Sequence, residues 1–234
     1  MNAKQLKSYI DAAKPRFEEM LAELVETPSI SADPQYSGDV HRSAKLAAQF
    51  FKLLGAKVRI IQTGGYPVVS GGWTIDSRFP TVTIYNHLDV QPAQELQWRH
   101  SPFSFRKNGD IYYGRGTTDD KGPAITALLS AQYAAEAGLP INVQFLWECE
   151  EEIGSPNFGD AFKQKGLIPK PNSVLVSDTI WISRTRPGIP YGLRGMLGAR
   201  LCLQTGQNDV HSGVTGGAAR NPLAELCAVA AACA

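Results

Sequence analysis

The sequence lacks the features that mark several large classes of protein. It has no surplus of positive charge, because 23 lysine and arginine residues stand against 22 aspartate and glutamate residues, for a net charge of +1. This balance favours neither nucleic acid nor an anionic membrane as a partner. No apolar run reaches the ~18 residues of a membrane span, and the polar N-terminal stretch lacks the apolar core of a secretory signal. We therefore expect a cytoplasmic protein with no nucleic-acid or membrane partner.

Cysteine and histidine are scarce, with four residues of each in 234. None of the cysteines forms a C-x-x-C pair, which argues against a thiolate zinc site or a redox motif. The chain also has no G-x-S-x-G elbow, no P-loop, no G-x-G-x-x-G and no H-E-x-x-H motif. The chemistry of this chain must therefore rest on other residues.

The fold class follows from three short apolar runs rich in β-branched and aromatic residues, at 81–85, 141–147 and 173–177. Helical patterns separate them, clearly at 123–137 and less clearly at 158–165. Strands that alternate with helices predict an α/β domain with a mostly parallel central sheet flanked by helices. Before these runs we expect helices at 9–25 and 40–54, and a hairpin of 57–62 with 68–70.

The composition of the chain changes after Asp178. Residues 184–192 are rich in proline, glycine and arginine and indicate a boundary. Beyond it we expect a strand at 195–205 and a helix at 223–234, opened by Pro222 near the favoured first helical position. We therefore expect a catalytic domain over 1–190 and the beginning of a second, α+β domain over 191–234, cut off before it is complete.

Acidic residues follow each of the three core strands, and a histidine also follows the first. His87 and Asp89 follow the first strand, Glu150 to Glu152 follow the second, and Asp178 follows the third. Because ligands of open α/β sheets bind at the carboxyl ends of strands, we expect these side chains to meet at one edge. Together they are typical of the inner shell of a two-metal hydrolase site.

Each residue also has an ordinary structural interpretation. His87 can be a loop histidine or a metal ligand that Asp89 orients. The pair Asp119-Asp120 precedes a helix, so it can cap that helix or supply a carboxylate that bridges two cations. Asp178 can be a plain turn residue.

The remaining candidates, Glu151, Glu152 and His211, also have both a structural and a functional interpretation. Glu151 and Glu152 can favour a helix N-terminus, or one can bind metal while the other moves a proton. His211 is either a polar loop residue or a donor to a developing oxyanion.

With these residues in this order, the chain resembles a known family, the M20 metallopeptidases, and within it the carnosinase and β-alanyl dipeptidase branch. The resemblance covers nearly the whole chain and rests on these segments: NHLDVQPA (86–93), WRHSPF (98–103), YGRGTTDDKGP (113–123), EEIGS (151–155), SD (177–178), RG (194–195) and HSGVTGG (211–217).

The resemblance implies a zinc-aminopeptidase-like fold with two divalent ions, zinc or else manganese. By position, His87 would bind one metal, Asp119 would bridge both, and Glu152 and Asp178 would each bind one. Glu151 would be the general base that acts on the metal-bridging water.

Three further roles come from the same resemblance. Asp89 would support His87. The second domain would be a lid through which the full-length protein forms a homodimer, and His211 within it would stabilise the tetrahedral intermediate. The register on Glu151-Glu152, rather than Glu150-Glu151, is favoured by the Gly154-Ser155 that follows.

The implied activity is hydrolysis of the amide bond of dipeptides or short peptides. Two alternatives stay open: an M20-type deacylase of N-acyl amino acids, of the acetylornithine or succinyl-diaminopimelate type, and a catalytically silent fragment. The second arises because no histidine follows His211, whereas the family pattern includes a later histidine ligand. We expect the chain to be the first part of a longer enzyme, to bind metal weakly and not to turn over alone.

Overall fold

A computed structural model describes residues 3–93, 96, 98–163, 166, 168–179, 181–183, 185–190 and 192–233. The chain divides into two compact units, residues 1–189 and residues 190–234. Among the described helices, none combines the length and apolar character needed to cross a membrane.

Within its described residues, the first unit contains three α-helices and seven β-strands. The helices are α1 (Ala3–Val25), α2 (Ser37–Leu53) and α3 (Lys121–Glu136). The strands are β1 (Lys57–Ile61), β2 (Val68–Trp73), β3 (Thr81–His87), β4 (Arg106–Asn108), β5 (Ile111–Tyr113), β6 (Asn142–Glu148) and β7 (Ser173–Val176).

Five strands form the central sheet, in the order β1-β2-β6-β3-β7, while β4 and β5 form a separate hairpin. The three core strands run parallel, as β6-β3 and β3-β7. The prediction of a mostly parallel sheet is nevertheless wrong, because β1-β2 and β2-β6 are antiparallel. The reason lies in the connections on either side of β2. Residues 62–67, between β1 and β2, and residues 74–80, between β2 and β3, are too short for a crossover between parallel strands, which takes about a dozen residues or more. Strand β2 therefore runs opposite to β1 and β3, and β6 runs parallel to β3.

Helices α2 and α3 pack against one face of this sheet and α1 packs on both helices, and the main core lies between these layers. Its centre is an aromatic cluster in which Phe51 of α2 contacts Phe145 and Trp147 of β6 edge to face. Side chains alternate across a strand, so the intervening Leu146 lies on the opposite face, in a smaller cluster with Ala161. The strand ends that carry polar residues are thus held by a packed core.

Two further helices were predicted, at 158–165 and 223–234, and the structure bears them out to different extents. Over 158–165, the described part is a 3₁₀ helix, Phe158–Phe162, and Gln164 and Lys165 lie outside the described residues. The second unit contains the short α4 (Ser212–Thr215) and α5 (Pro222–Ala232). The predicted opening of α5 is confirmed, since Pro222 lies in its first turn, although Ala234 lies outside the described residues.

The predicted strand over 195–205 is wrong: the structure describes all of these residues and none is in a strand. A strand is stabilised by hydrogen bonds to a neighbouring strand and by side chains packed on its faces. Leu197 and Leu201 are exposed instead. Among the described residues of this unit, the segment therefore has no buried face on which its apolar side chains pack.

Candidate metal centre

The parallel core of the sheet brings three polar strand ends together. His87 ends β3 and lies opposite Glu148, the last residue of β6. Strand β7 pairs with β3 up to Val176, opposite Tyr85, so that Asp178 emerges beside His87. The short 3₁₀ helix Glu151–Ile153 follows β6 directly. All of these residues therefore lie at one carboxyl edge of the sheet.

The His87 side chain is completely buried and both of its ring nitrogens are engaged. Nδ1 donates to the backbone carbonyl oxygen of Asp89 over 3.0 Å and lies 3.4 Å from the carboxylate of the same residue. Nε2 lies 2.9 Å from Asp119 Oδ1 and 3.7 Å from Asp178 Oδ2. Asp89 thus fixes the orientation of the ring and directs Nε2 towards two carboxylates.

Asp89 is also buried, and it connects the β3 loop with the turn after β6. Its carboxylate accepts hydrogen bonds from the backbone N–H groups of Glu151, over 3.1 Å, and Glu152, over 3.0 Å. Ser31 Oγ donates a third hydrogen bond over 2.6 Å. The residue that orients the imidazole therefore also places the two glutamates.

Two adjacent aspartates precede α3 and have separate roles. The peptide bond between them is cis. Asp119 directs an exposed carboxylate to His87. Asp120 makes no side-chain hydrogen bond to cap the helix. Its Oδ2 accepts instead from Asn86 Nδ2 over 2.8 Å and from the His87 N–H over 3.1 Å. Asp119 thus faces the imidazole, and Asp120 holds the backbone of the histidine.

The glutamates after β6 also differ in their surroundings. Glu152 accepts from the Gln91 backbone N–H over 3.2 Å and from Gln91 Nε2 over 2.8 Å. Glu150 is buried and accepts from the backbone N–H groups of Tyr66 and Asn157. Its carboxylate is therefore occupied by the protein itself, which agrees with a register on Glu151 and Glu152.

The site concentrates acidic side chains, whose charge a bound cation would neutralise. Burial raises the pKa of Glu151, Glu152 and Asp178, and neighbouring carboxylates raise it further. Burial lowers the pKa of His87, but the surrounding carboxylates, Asp89 first, outweigh this effect and raise it to about 10. Burial likewise raises the pKa of Asp120 to about 8. Such an excess of buried acid is balanced by protons or by a bound cation.

The donor set suits a divalent metal. Among the described residues, two groups have ligand atoms within 4.8 Å of one another: His87 with Asp119 and Asp178, and His87 with Glu151 and Glu152. Ligands bound at 2.0–2.2 Å to one ion lie about 3–4 Å apart, which matches the 2.9 and 3.7 Å measured at His87 Nε2. Imidazole nitrogen with carboxylate oxygen is a common ligand set for zinc and also serves manganese.

His211, the remaining candidate, belongs to the second unit. It caps α4, where its Nδ1 accepts a hydrogen bond from the Gly213 N–H over 3.0 Å. Its assignment to catalysis stays a prediction.

Several residues that shape the site had not been expected from the sequence. Asn86 lies within the motif around His87 and holds both Asp120 and the Ser177 carbonyl oxygen. Gln91 lies in the same motif and holds Glu152. Ser31 lies 58 residues before Asp89 in the chain, and no local pattern marks it. Motif proximity was a usable signal for the first two residues only.

Comparison with known proteins points to one family. Residues 83–189 match the model of peptidase family M20/M25/M40. The Cys-Gly metallodipeptidase dug1 of Schizosaccharomyces pombe is 34% identical over 98% of this chain and 52% of its own length. The Beta-Ala-His dipeptidase of Rattus norvegicus is 31% identical over 96% of this chain and 49% of its own length.

A solved structure of the dipeptidase Dug1p from Saccharomyces cerevisiae superimposes on this chain with a TM-score of 0.77 at 28% identity. The superposition covers 94% of this chain and 50% of the Dug1p chain. The chain thus spans about half the length of the curated relatives it matches.

Proposed function

We propose that the chain belongs to the M20/M25/M40 peptidases, in their dipeptidase-like branch, and that it forms the catalytic part of a metal-dependent hydrolase. The reaction is cleavage of the amide bond of dipeptides or short peptides by water. The observation that carries the proposal is the convergence of Asp119 and Asp178 on Nε2 of His87, while Nδ1 is committed to Asp89.

The proposed metal ligands are His87, Asp119, Glu152 and Asp178, with two zinc ions as the preferred cofactors. When bound, divalent ions polarise a carbonyl oxygen and make water acidic enough to supply a nucleophile at neutral pH. The Nδ1 contact with Asp89 supports this assignment, because metal-binding histidines commonly donate their other ring N–H to a carbonyl or carboxylate oxygen.

Glu151 is proposed as the general base. Its side chain borders His87 in the second ligand group, and its raised pKa brings it closer to the range in which a base works best. It takes one proton from the attacking water, whose oxygen forms the new bond to the scissile carbon. It then returns that proton to the departing amine nitrogen as the C–N bond breaks.

The second unit is proposed to belong to a lid through which two copies associate. Its apolar side chains support this role, because Leu193, Met196 and Leu197 are almost fully exposed, and such patches mark surfaces that another surface covers. His211 from this unit would stabilise the oxyanion as it develops.

A substitution of the base tests the proposal. The protein would be loaded with Zn²⁺ or Mn²⁺ and offered Cys-Gly, Beta-Ala-His and, for comparison, N-acetyl amino acids. For a longer protein that contains this chain we expect hydrolysis of a dipeptide, a loss of at least about 100-fold in kcat for Glu151→Gln, and an almost unchanged Kd for Zn²⁺. The 234-residue chain alone is expected to bind Zn²⁺ without turnover. Glu19→Gln, at an exposed position on α1, is the matched control.

The outcomes separate the alternatives. Full activity in Glu151→Gln would exclude Glu151 as the base. Preference for N-acetyl amino acids would assign the site to a deacylase. Tight Zn²⁺ binding without hydrolysis of any substrate would leave the 234-residue chain as a metal-binding unit that is silent by itself.

A further inference from the structure

Glu150 lies next to the two proposed functional glutamates but has different partners. It is 4% exposed. Its Oε1 accepts from the Tyr66 N–H over 2.7 Å and from Asn157 Nδ2 over 3.1 Å. Its Oε2 accepts from the Asn157 N–H over 3.0 Å and from Asn157 Nδ2 over 3.2 Å. One buried carboxylate therefore joins the chain after β6 to the loop between β1 and β2.

That loop is itself well held. Thr63 Oγ1 donates to the Tyr66 carbonyl oxygen over 2.6 Å and accepts from the Gly65 N–H over 3.1 Å. The Tyr66 ring packs edge-on against His41 of α2, with 5.6 Å between centroids. Glu150 is thus tied to a loop that is braced both internally and by a helix.

Gly65 makes this contact possible. A Cβ atom on Gly65 would overlap with Glu150 Oε1 and with Asn157 Nδ2, so only glycine lets the loop pass over the carboxylate. The φ angle of Gly65 is not among the positive ones. Close approach, rather than an unusual backbone conformation, therefore accounts for the glycine.

The backbone of Glu150 closes the functional turn. Its carbonyl oxygen accepts from the Ile153 N–H over 3.3 Å and from the Ser155 N–H over 2.8 Å. Glu151 and Glu152 lie between these anchor points. Glu150 therefore holds this turn from its start, while Asp89 holds the N–H groups of the two glutamates.

We propose that Glu150 is a positioning residue, whose clasp on the Gly65-Tyr66 loop sets where Glu151 and Glu152 stand for metal binding. The inference deepens the proposed function and rests on it. It does not make Glu150 a ligand or a base, because the hydrogen bonds of its carboxylate are made to the protein.

The clasp can be opened from either side. Glu150→Ala removes the acceptor, and Gly65→Ala displaces it. Glu150→Gln is the milder variant, which keeps one carbonyl oxygen. Gly159→Ala is the matched control, because its added Cβ would meet open space. The measurements are the Kd for Zn²⁺ by chelator competition, the visible spectrum of bound Co²⁺, and amide hydrogen exchange of residues 151–157.

We expect Glu150→Ala and Gly65→Ala each to weaken Zn²⁺ binding about 10-fold or more, as removal of partners around a ligand shell does. The double variant should lose no more than the weaker-binding single variant, because both substitutions open one clasp. The Co²⁺ spectrum should shift and exchange over 151–157 should speed up. Glu150→Gln should lie between wild type and Glu150→Ala, and the control should match wild type.

A general loss of stability would lower the occupancy of the site but would leave the spectrum of bound Co²⁺ as it is. An unchanged spectrum and Kd in both single variants, or additive losses in the double variant, would overturn the clasp. If wild type binds no metal, the proposed function fails. Exchange over 151–157 then still decides the clasp, because unchanged rates in both variants refute it.

Discussion

At the scale of single residues, Asp89 serves two parts of the site with one buried carboxylate. It orients His87 and accepts the N–H groups of Glu151 and Glu152. In Asp89→Asn, an amide NH₂ would face one of those N–H donors. We expect Zn²⁺ affinity to fall about 10- to 100-fold, measured by chelator competition, while Asp33→Asn, at the half-buried cap of the 3₁₀ helix Pro34–Tyr36, leaves it unchanged. Equal affinity in both variants would contradict this role.

The charges of the same residues predict a pH dependence. Without metal, the pKa of His87 is raised to about 10 and those of Glu152 and Asp178 are raised by burial. Metals bind deprotonated ligands and release the protons. The apparent Kd for Zn²⁺ should therefore tighten as pH rises from about 6 to 8. Calorimetry in buffers of different ionisation enthalpy should show proton release, and affinity independent of pH would refute the coupling.

The sequence marked side chains that the structure brings together, but it marked fewer of the residues that hold them in place. His87, Glu151, Glu152 and Asp178 could be named because each closely follows an apolar strand, and a parallel sheet brings such ends together. The choice between Asp119 and Asp120 rested on the family resemblance, and each turns out to face a different part of His87. Ser31 could not be foreseen, because its contact with Asp89 depends on tertiary packing.

At the scale of secondary-structure elements, Lys121 links the start of α3 to the end of α1. Its buried Nζ donates to the carbonyl oxygens of Leu24 and Thr27, over 2.9 Å each. Burial lowers its pKa to about 7. Lys121→Met leaves both carbonyl oxygens without this partner but also removes the cost of burying the amine. We expect a net loss of about 1–3 kcal/mol in the free energy of unfolding.

Urea unfolding measures this loss, with Lys45→Met on the exposed side of α2 as the control. A loss no larger than in the control would show that the end of α1 does not depend on Lys121. The same pair of variants separates stability from metal binding, since both keep every proposed ligand.

The elements also show where pattern analysis stops. The α3 helix and the core strands could be recognised because long periodic or β-branched segments identify themselves. Strand direction could not be read in the same way, because β2 has the composition of any short strand. Its direction follows from the short connections 62–67 to β1 and 74–80 to β3, and β6 runs parallel to β3. The segment 195–205 had a suitable pattern, but its apolar side chains have no surface to pack on.

At the scale of the whole molecule, β7 is one of the two edge strands of the described sheet, and β1 is the other. Val174, Leu175 and Val176 are each about half exposed or more. Apolar hollows of about 680 Å³ and 1000 Å³ lie along the strand, the first lined by Val174 and Val176 and the second by Leu175. An unpaired apolar edge is a template for pairing with another chain. We therefore expect the 234-residue chain to associate with itself as its concentration rises.

Val174→Lys and Leu175→Lys should weaken this association, because a charged side chain on an edge strand opposes pairing. Sedimentation velocity over a wide concentration range measures the effect. Leu53→Lys replaces a still more exposed leucine at the end of α2 and should leave the association as in wild type. If Leu53→Lys lowers it as much as the edge variants do, added charge rather than the β7 edge is responsible. Zn²⁺ affinity should stay at the wild-type value in all three variants, because none replaces a proposed ligand or one of its hydrogen-bond partners.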